Sequence, residues 1–567
     1  MREASERAGL FGMGAALSPC LRMGAFIGGG FYGRGVLSAK AKAGGSDAPL
    51  RRTVEFPCMR HTIIKRSSGR LGCPLATIAV WAWCVSLQGE IIAPTLARPQ
   101  DQARFHVSVF ATGLAYPTSM AQLADGSLLV ATSDGGPSWL DNYLFASTSG
   151  ALVRLVDSNG DGVADGPPQT VASGLPGLVS SVRREGNLVF ALSSQGGNQA
   201  ITIWRTGTSP AAPLESAGRL SFSFPSSFEH STYALATRPA PGGGVEVFFN
   251  VGAEKNAVST PSATTVGLTA ANGAAFASGT SFQLAADSVH RLTVTDQAGS
   301  VTVGTPQQVA RGLRNAAGLV FDGQGNLWLQ DNGIDDRVAG VSISADELNM
   351  VPAADIGTVV PNFGFAGTYI DYATGAVVGP TEGVIQPRVA FRPLAGEKSE
   401  GVVELALAPA SFPSDFAGGI FAPFSGVFNQ GGLNNDENPL VFVNTTDSTY
   451  FHFFENQQFG HPNGVLSAAD GLYLSDLNYL GLFGNPVGSN PTAPADQQGV
   501  IYKITYVPEP AGFFLLLSAL ACVAGTRCGN GFSRSRGTPT STAMVRPIKE
   551  RQEHFERARQ LAAASPG

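Results

Sequence analysis

The chain has 567 residues, of which 14% are charged, and a formal net charge of -6. That length supports one large core or two domains, and the mild acidity excludes a nucleic-acid binder, which needs a basic face. Its 70 glycines and 36 prolines, set among many short apolar runs, favour an all-β protein full of turns. All the cysteines (Cys20, Cys58, Cys73, Cys84, Cys522 and Cys528) lie outside 85–521, so the globular part holds neither a disulfide nor a thiolate metal site.

Residues 1–58 are rich in Gly, Ala and Arg and show no sustained periodicity. Met59 opens a more ordered stretch: Arg60-His61 and Lys65-Arg66 are basic, and 71–87 is an apolar run. That order is the order of a secretory signal peptide. The expectation is that Met59 is the true start, that 59–98 is the signal peptide, and that cleavage falls between Gln88 and Arg98. An N-terminal membrane anchor is the alternative.

From about Phe105 the chain repeats itself. A small-Gly-Leu turn, a strand, an Asp-Gly type turn and a second strand occur at 110–136, 171–197, 309–333 and 459–477, with a looser copy at 230–252. Self-similarity at this spacing marks a β-propeller, here spanning 105–506. Within it, Asp157, Asn159, Asp161 and Asp165 surround Gly162 with the spacing of a calcium loop, to be weighed against a plain Asp/Gly turn. Such an ion would stabilise and not catalyse. Residues 253–308, rich in Ala, Thr, Ser and Gly, fit the repeat least and read partly as an insertion.

The stretch 311–349 reads as strand, turn, strand and polar loop. Leu319-Val320-Phe321 and Leu327-Trp328-Leu329 flank a turn rich in Asp, Gly and Asn. This hairpin puts Arg314-Asn315 and Asn332-Gly333 at one end of a rigid scaffold, where sites are built. Asp331 can add a hard oxygen ligand there or cap the turn. Upstream, Glu229-His230 stands directly before the strand-like run Ser231-Thr232-Tyr233-Ala234-Leu235. A histidine suits proton transfer because its ordinary pKa lies near neutrality.

The tail has Val507-Pro508-Glu509-Pro510, an apolar run at 511–525, then Arg527, Arg534 and Arg536, and a charged segment at 544–564. It resembles the PEP C-terminal sorting signal of exported bacterial proteins, in which an exosortase removes the apolar helix. The resemblance implies a signal at 507–536, a single transmembrane helix at 511–525 that transiently anchors the chain in the inner membrane, a charged tail at 537–567, and a destination at the cell surface, outer envelope or extracellular matrix. Some thirty residues follow the basic cluster, more than such signals usually carry.

The segment GLRNAAGLVFDGQGNLWLQDNG, followed by DELN, resembles the soluble quinoprotein glucose dehydrogenases and their sorbosone and aldose-sugar relatives. GVIYKITY (499–506) is similar to the closing strand of that family's propeller. The resemblance implies a six-bladed all-β propeller, a pyrroloquinoline quinone (PQQ) cofactor and calcium at its top face, and hydride transfer from a sugar hydroxyl to the quinone. His230 is implied as the general base, Arg314, Asn315 and Asn332 as cofactor contacts, and Gly333 as a calcium ligand through its carbonyl.

The chain departs from that pattern where the family carries a late lysine and an Arg-x-Arg pair to balance the three carboxylates of PQQ. Here 418–432 has no Lys or Arg, and His461-Pro462 replaces the next Arg-Pro. Two functions follow: a PQQ-dependent sugar or aldehyde dehydrogenase, or a non-catalytic surface propeller that binds carbohydrate or protein after losing the cofactor site.

Overall fold

The computed structural model describes residues 91–508, apart from 92, 136–144, 146, 208, 210–211, 261–263, 336–339, 393–400, 427–434, 436 and 478–497. The expected signal peptide up to 90, the apolar run 511–525 and the charged tail lie outside the described residues. Among those that are described, no helix is long and apolar enough to cross a membrane.

Six antiparallel sheets, each built on four strand positions, are arranged as the blades of a β-propeller. Blade one comprises Ser119–Gln122, Leu128–Ser133, Ser149–Leu155 and Gln169–Pro176, from the axis outward. Blade two is Leu178–Glu185, Leu188–Gln195, Asn198–Arg205 and Glu215–Ser223. Blade three is Leu235–Pro239, Val245–Val251 and Ser288–Gln297, its fourth position shared by Ser300–Val303 and Gln307–Arg311. Blade four is Gly318–Phe321, Leu327–Asp331, Asp346–Val351 and Val389–Phe391. Blade five is Ala406–Leu407, Ile420–Pro423, Leu440–Asn444 and Thr449–Phe454. Blade six takes Pro462–Ala468, Gly471–Asp476 and Gly499–Tyr506 from the C-terminal side, and its outermost strand, Phe105–Leu114, from the N-terminal side.

The turns follow from side chains that out-compete water for backbone groups. In blade four, Asp322 Oδ1 accepts from the N–H groups of Gln324 and Asn326, both at 2.9 Å, while Oδ2 accepts from Trp328 Nε1 at 2.9 Å. Gly325 takes φ +82° there. Second strands are covered on both faces and so are largely apolar; every residue of Val245–Val251 is buried, with Glu246 and Asn250 the polar exceptions. Apolar layers fill the space between each pair of neighbouring blades. The layer between blades five and six is rich in phenylalanine; Phe105 meets Phe416 and Phe453 edge-on, and Phe421 meets Phe453 in the same way.

Residues 253–308 divide into two parts. Thr265–Ala271 and Ser281–Ala285 extend the sheet of blade two outward, and Ala274–Phe276 pairs in parallel with Ser300–Val303 of blade three. These three strands are the insertion. Ser288–Gln297 belongs to the propeller; its polar residues conceal it. His290 stacks on Phe249 and bonds Ala285 O at 2.8 Å, and Arg291 is held by Glu246 at 2.6 Å.

The axis carries a buried ion pair. Arg183 on the inner strand of blade two reaches Glu404, which immediately precedes the inner strand of blade five, at 2.6 Å; their side chains are 18% and 6% exposed. Glu404 also accepts from Ser119 Oγ of blade one at 3.0 Å and from the Val465 N–H of blade six at 2.9 Å. Burial raises its carboxyl pKa, and Arg183 opposes that shift. Arg183→Met leaves this carboxylate without its cation. The expected loss is about 3–5 kcal/mol in urea unfolding, most of it recovered when Glu404→Leu is added.

Candidate functional site

The turns entering the inner strands lie at one end of the propeller, its top face. There a polar residue closing the second strand captures two successive N–H groups of the segment leading into the inner strand. Asn250 Oδ1 accepts from Tyr233 and Ala234 at 2.8 and 3.0 Å in blade three. The two oxygens of Asp331 accept from Arg314 and Asn315 at 2.9 and 2.6 Å in blade four. Those of Asp476 accept from Gly460 and His461 at 2.7 and 2.8 Å in blade six. Asp331 is therefore a structural cap, one of a repeated set.

The backbones of His230, Gly252 and Arg314 meet at the junction of blades three and four. The His230 N–H donates to Ala253 O at 3.1 Å, and the Ala253 N–H donates to Arg314 O at 2.8 Å. A Cβ on Gly252 would stand 2.7 Å from His230 Cβ and 3.1 Å from Arg314 O, so only glycine permits this approach. Burial, reinforced by the Arg314 charge, holds the His230 imidazole pKa well below 6.5; the ring is neutral at neutral pH. His230 Nε2 is buried and has no hydrogen-bond partner among the described residues. Glu229 does not orient the ring as its position in sequence suggests. It faces Lys255 Nζ at 3.2 Å and the Asn256 N–H at 2.8 Å, because the strap 254–260 draws its carboxylate away.

That strap was not legible as part of the site, since it falls in the stretch that matches the repeat least. Asn256 accepts from Arg314 Nε at 3.0 Å, through both its backbone oxygen and Oδ1, and from Nη2 at 2.7 Å. Arg314 Nη2 also meets Asp335 at 2.9 Å, and Nη1 donates to Asn332 O at 3.3 Å. The strap is pinned further on, where the Thr260 N–H donates to Asp287 at 2.8 Å. Asn315 is buried with its Oδ1 unpartnered among the described residues, as is Gln330 Oε1. Asn332 accepts from the Gln330 amide. Gly333 donates its N–H to Asp346 at 2.7 Å, and a Cβ there would lie 2.6 Å from Ala345 O. His230, Arg314, Asn315, Asn332 and Gly333 thus share one end of two neighbouring blades.

Behind Arg314 lies a pocket of about 20 Å³ lined by Asn332, Gly333, Glu347 and Tyr369 among others, a space for about one water. Burial pushes the Asp331 carboxyl to about 7 and that of Glu347 to about 8, with the neighbouring acids adding to the latter. Protonation of Glu347 at neutral pH spares the interior one unpaired charge.

Asp157, Asn159, Asp161 and Asp165 lie elsewhere, between the third and fourth strands of blade one at the opposite end. Asp157 accepts from the N–H groups of Gly160, Asp161 and Gly162 at 2.7, 3.2 and 2.9 Å. Asp165 accepts from the Ser158 N–H at 2.6 Å. Lys503 of blade six stands 3.8 Å from Asp157. Neither here nor at Gly333 do the described residues include a group of three or more His, Cys, Asp or Glu side chains able to hold a metal ion; the donors as arranged cap a turn.

Among the described residues, the top face does not fit PQQ either. The quinone brings three carboxylates, whereas the cations among the described residues at this site are Arg314 and Lys255, each already facing a carboxylate of the protein. A tricarboxylate would be buried with most of its charge unpaired.

No family model and no curated protein matches the chain. Among solved structures it is similar to a carbohydrate-active enzyme of family AA12 from Trichoderma reesei, at 14% identity and TM-score 0.46, covering 74% of this chain and 99% of that one. It is also similar to the PQQ-bound aldose sugar dehydrogenase of Streptomyces coelicolor, at 14% identity and TM-score 0.42, covering 71% and 99%. The PQQ domain of the Coprinopsis cinerea pyranose dehydrogenase matches at 14% identity and TM-score 0.44, covering 72% and 96%. At this distance the likeness concerns the fold.

Glu347 makes stability depend on pH. Its folded-state pKa of about 8 lies above the unfolded value, so its contribution is present at low pH and lost as pH rises from about 4.5 to about 8. Denaturant titrations should show Glu347→Gln gaining on the parent by roughly 2–4 kcal/mol between those limits. At the opposite end, Asp157→Ala returns three loop N–H groups to water and should cost about 0.5–1.5 kcal/mol in EDTA; a larger loss in calcium would report a bound ion.

Proposed function

We propose that this chain is an exported, surface-sorted β-propeller on the sugar-dehydrogenase plan. Its top face, at blades three and four, binds carbohydrate without a quinone. One observation carries this reading: His230 Nε2, Asn315 Oδ1 and Gln330 Oε1 are buried acceptors with no donor among the described residues. A ligand rich in hydroxyl groups supplies the donors such atoms need. The imidazole accepts in its Nδ1–H tautomer, which its low pKa keeps uncharged. Export rests on the basic and apolar order of 59–98 and on the Pro-Glu-Pro tail, which makes an exosortase-type machine the sorting partner and gives the chain a transient anchor in the inner membrane.

A second reading, the PQQ-dependent dehydrogenase, is favoured by the same neutral imidazole, because a general base must be unprotonated to take a hydroxyl proton. The charge available to a tricarboxylate argues against it.

Calorimetric titration of the purified chain with monosaccharides, and with PQQ in the presence and absence of calcium, separates the two. The expected result is sugar binding with Kd of order 1 mM, weakened at least about tenfold by His230→Ala, and no heat from PQQ at about 100 μM. Calcium-dependent PQQ binding in the micromolar range, lost in Arg314→Ala, would overturn the carbohydrate-only reading in favour of the dehydrogenase. Absence of any sugar binding would sink it outright.

A further inference from the structure

The Arg314 side chain is nearly inaccessible, yet the carboxylate paired with it is not: the two are 3% and 53% exposed. Its donors are unequally engaged. Nε and one Nη2 hydrogen are held by Asn256 at 2.7–3.0 Å, whereas the outer edge has Asp335 on Nη2 at 2.9 Å and only a long bond from Nη1 to Asn332 O at 3.3 Å. That Nη1–Nη2 edge is the one a carboxylate grips with two parallel hydrogen bonds, and Asp335 reaches it through a single short contact.

We infer that Asp335 occupies the place of a ligand carboxylate, and that the preferred ligand of the top face is a monocarboxylate sugar, a uronic or aldonic acid, which displaces Asp335 and binds Arg314 through both outer nitrogens.

The inference rests on the carbohydrate reading above and adds the ligand's charge. Asn256 stays in place during the exchange, because the strap carrying it is pinned at Glu229 and Asp287. The other acids nearby are committed: Asp331 caps two N–H groups, and Asp346 takes those of Gly333, Gly401 and Val402. Exchanging one exposed carboxylate for one ligand carboxylate leaves the net charge unchanged, so the guanidinium is never buried alone. The same count limits the ligand to one acid group. The adjoining pocket, at about 20 Å³, has no room for a carboxylate, so the ligand takes the position of Asp335 on the outer edge of Arg314. The ligand's hydroxyls then face the buried acceptors at His230 and Asn315.

The test compares glucuronate, glucose and acetate on the full-length chain and on Asp335→Ala, which removes the competing carboxylate and leaves Arg314 without a charge partner; urea unfolding of the variant, run alongside, checks that it stays folded. The expected result is at least about a tenfold gain in glucuronate affinity in the variant, with glucose unchanged and acetate weak in both. Glucose bound by both proteins with no gain for glucuronate would overturn the inference and leave the carbohydrate reading standing. Equal gains for acetate and glucuronate would overturn the sugar-acid assignment. Failure of every ligand on both proteins would overturn the carbohydrate reading and this inference together.

Discussion

Everything in this molecule depends on one strand arriving from the far end of the chain. Phe105–Leu114 completes blade six by antiparallel pairing with Gly499–Tyr506, and no blade stands alone, because each has two apolar faces and needs a neighbour on both. The seam is reinforced beyond its ladder. Phe105 packs edge-on against Phe412, Phe416 and Phe453 at 4.8–5.4 Å, Arg104 pairs with Asp415 at 2.6 Å, and Arg98 lies 3.3 Å over Phe451. Blade three, which supplies half of the candidate site, stands opposite blade six in the ring, so the junction holding His230 and Arg314 keeps its geometry only while the seam is shut.

Two arginines, Arg183 partly buried and Arg314 nearly inaccessible, show how the same problem is answered for different ends. Arg183 meets Glu404 on the axis, where the carboxylate is 6% exposed and also ties blades one and six. Exchange with solvent is closed to it, and its role is architectural. Arg314 meets a carboxylate on an exposed loop position and an amide on a pinned strap. One half of its coordination is permanent and the other is in contact with water. The accessible member of the pair changes sides: at the axis the arginine is 18% exposed and its carboxylate 6%, whereas at the top face the arginine is 3% exposed and its carboxylate 53%.

The repeat was legible because turn chemistry is local. Asp-Gly and Asn-Gly pairs between apolar runs mark hairpins wherever they occur, and the hairpin expected at 311–349 appears as Gly318–Phe321 and Leu327–Asp331. The caps Asn250, Asp331 and Asp476 were open to the same reasoning, as polar residues at or near the end of largely apolar strands, but their shared task shows only when the N–H groups that donate to them are traced to segments some sixteen residues back. What sequence could not disclose was long-range. Asn256 lies 58 residues before the arginine it holds, in a stretch without the repeat's pattern. Glu229 adjoins His230 in sequence and turns to another partner in space. The strand Ser288–Gln297 escaped because its polar residues pair within the sheet, which erases the alternation that marks a strand with one wet face.

The seam also has a mechanical sense. Phe105 lies beside Tyr506, and the Val507 N–H bonds Arg104 O at 2.7 Å, so the chain enters and leaves the propeller side by side at one end of the same pair of strands. Force applied at both of these points pulls the two strands apart one rung at a time, the weakest direction in which a β-ladder can be loaded. Force applied at only one of them puts no tension across the ladder. A propeller of this build bears load at a single end and unzips when stretched between its two.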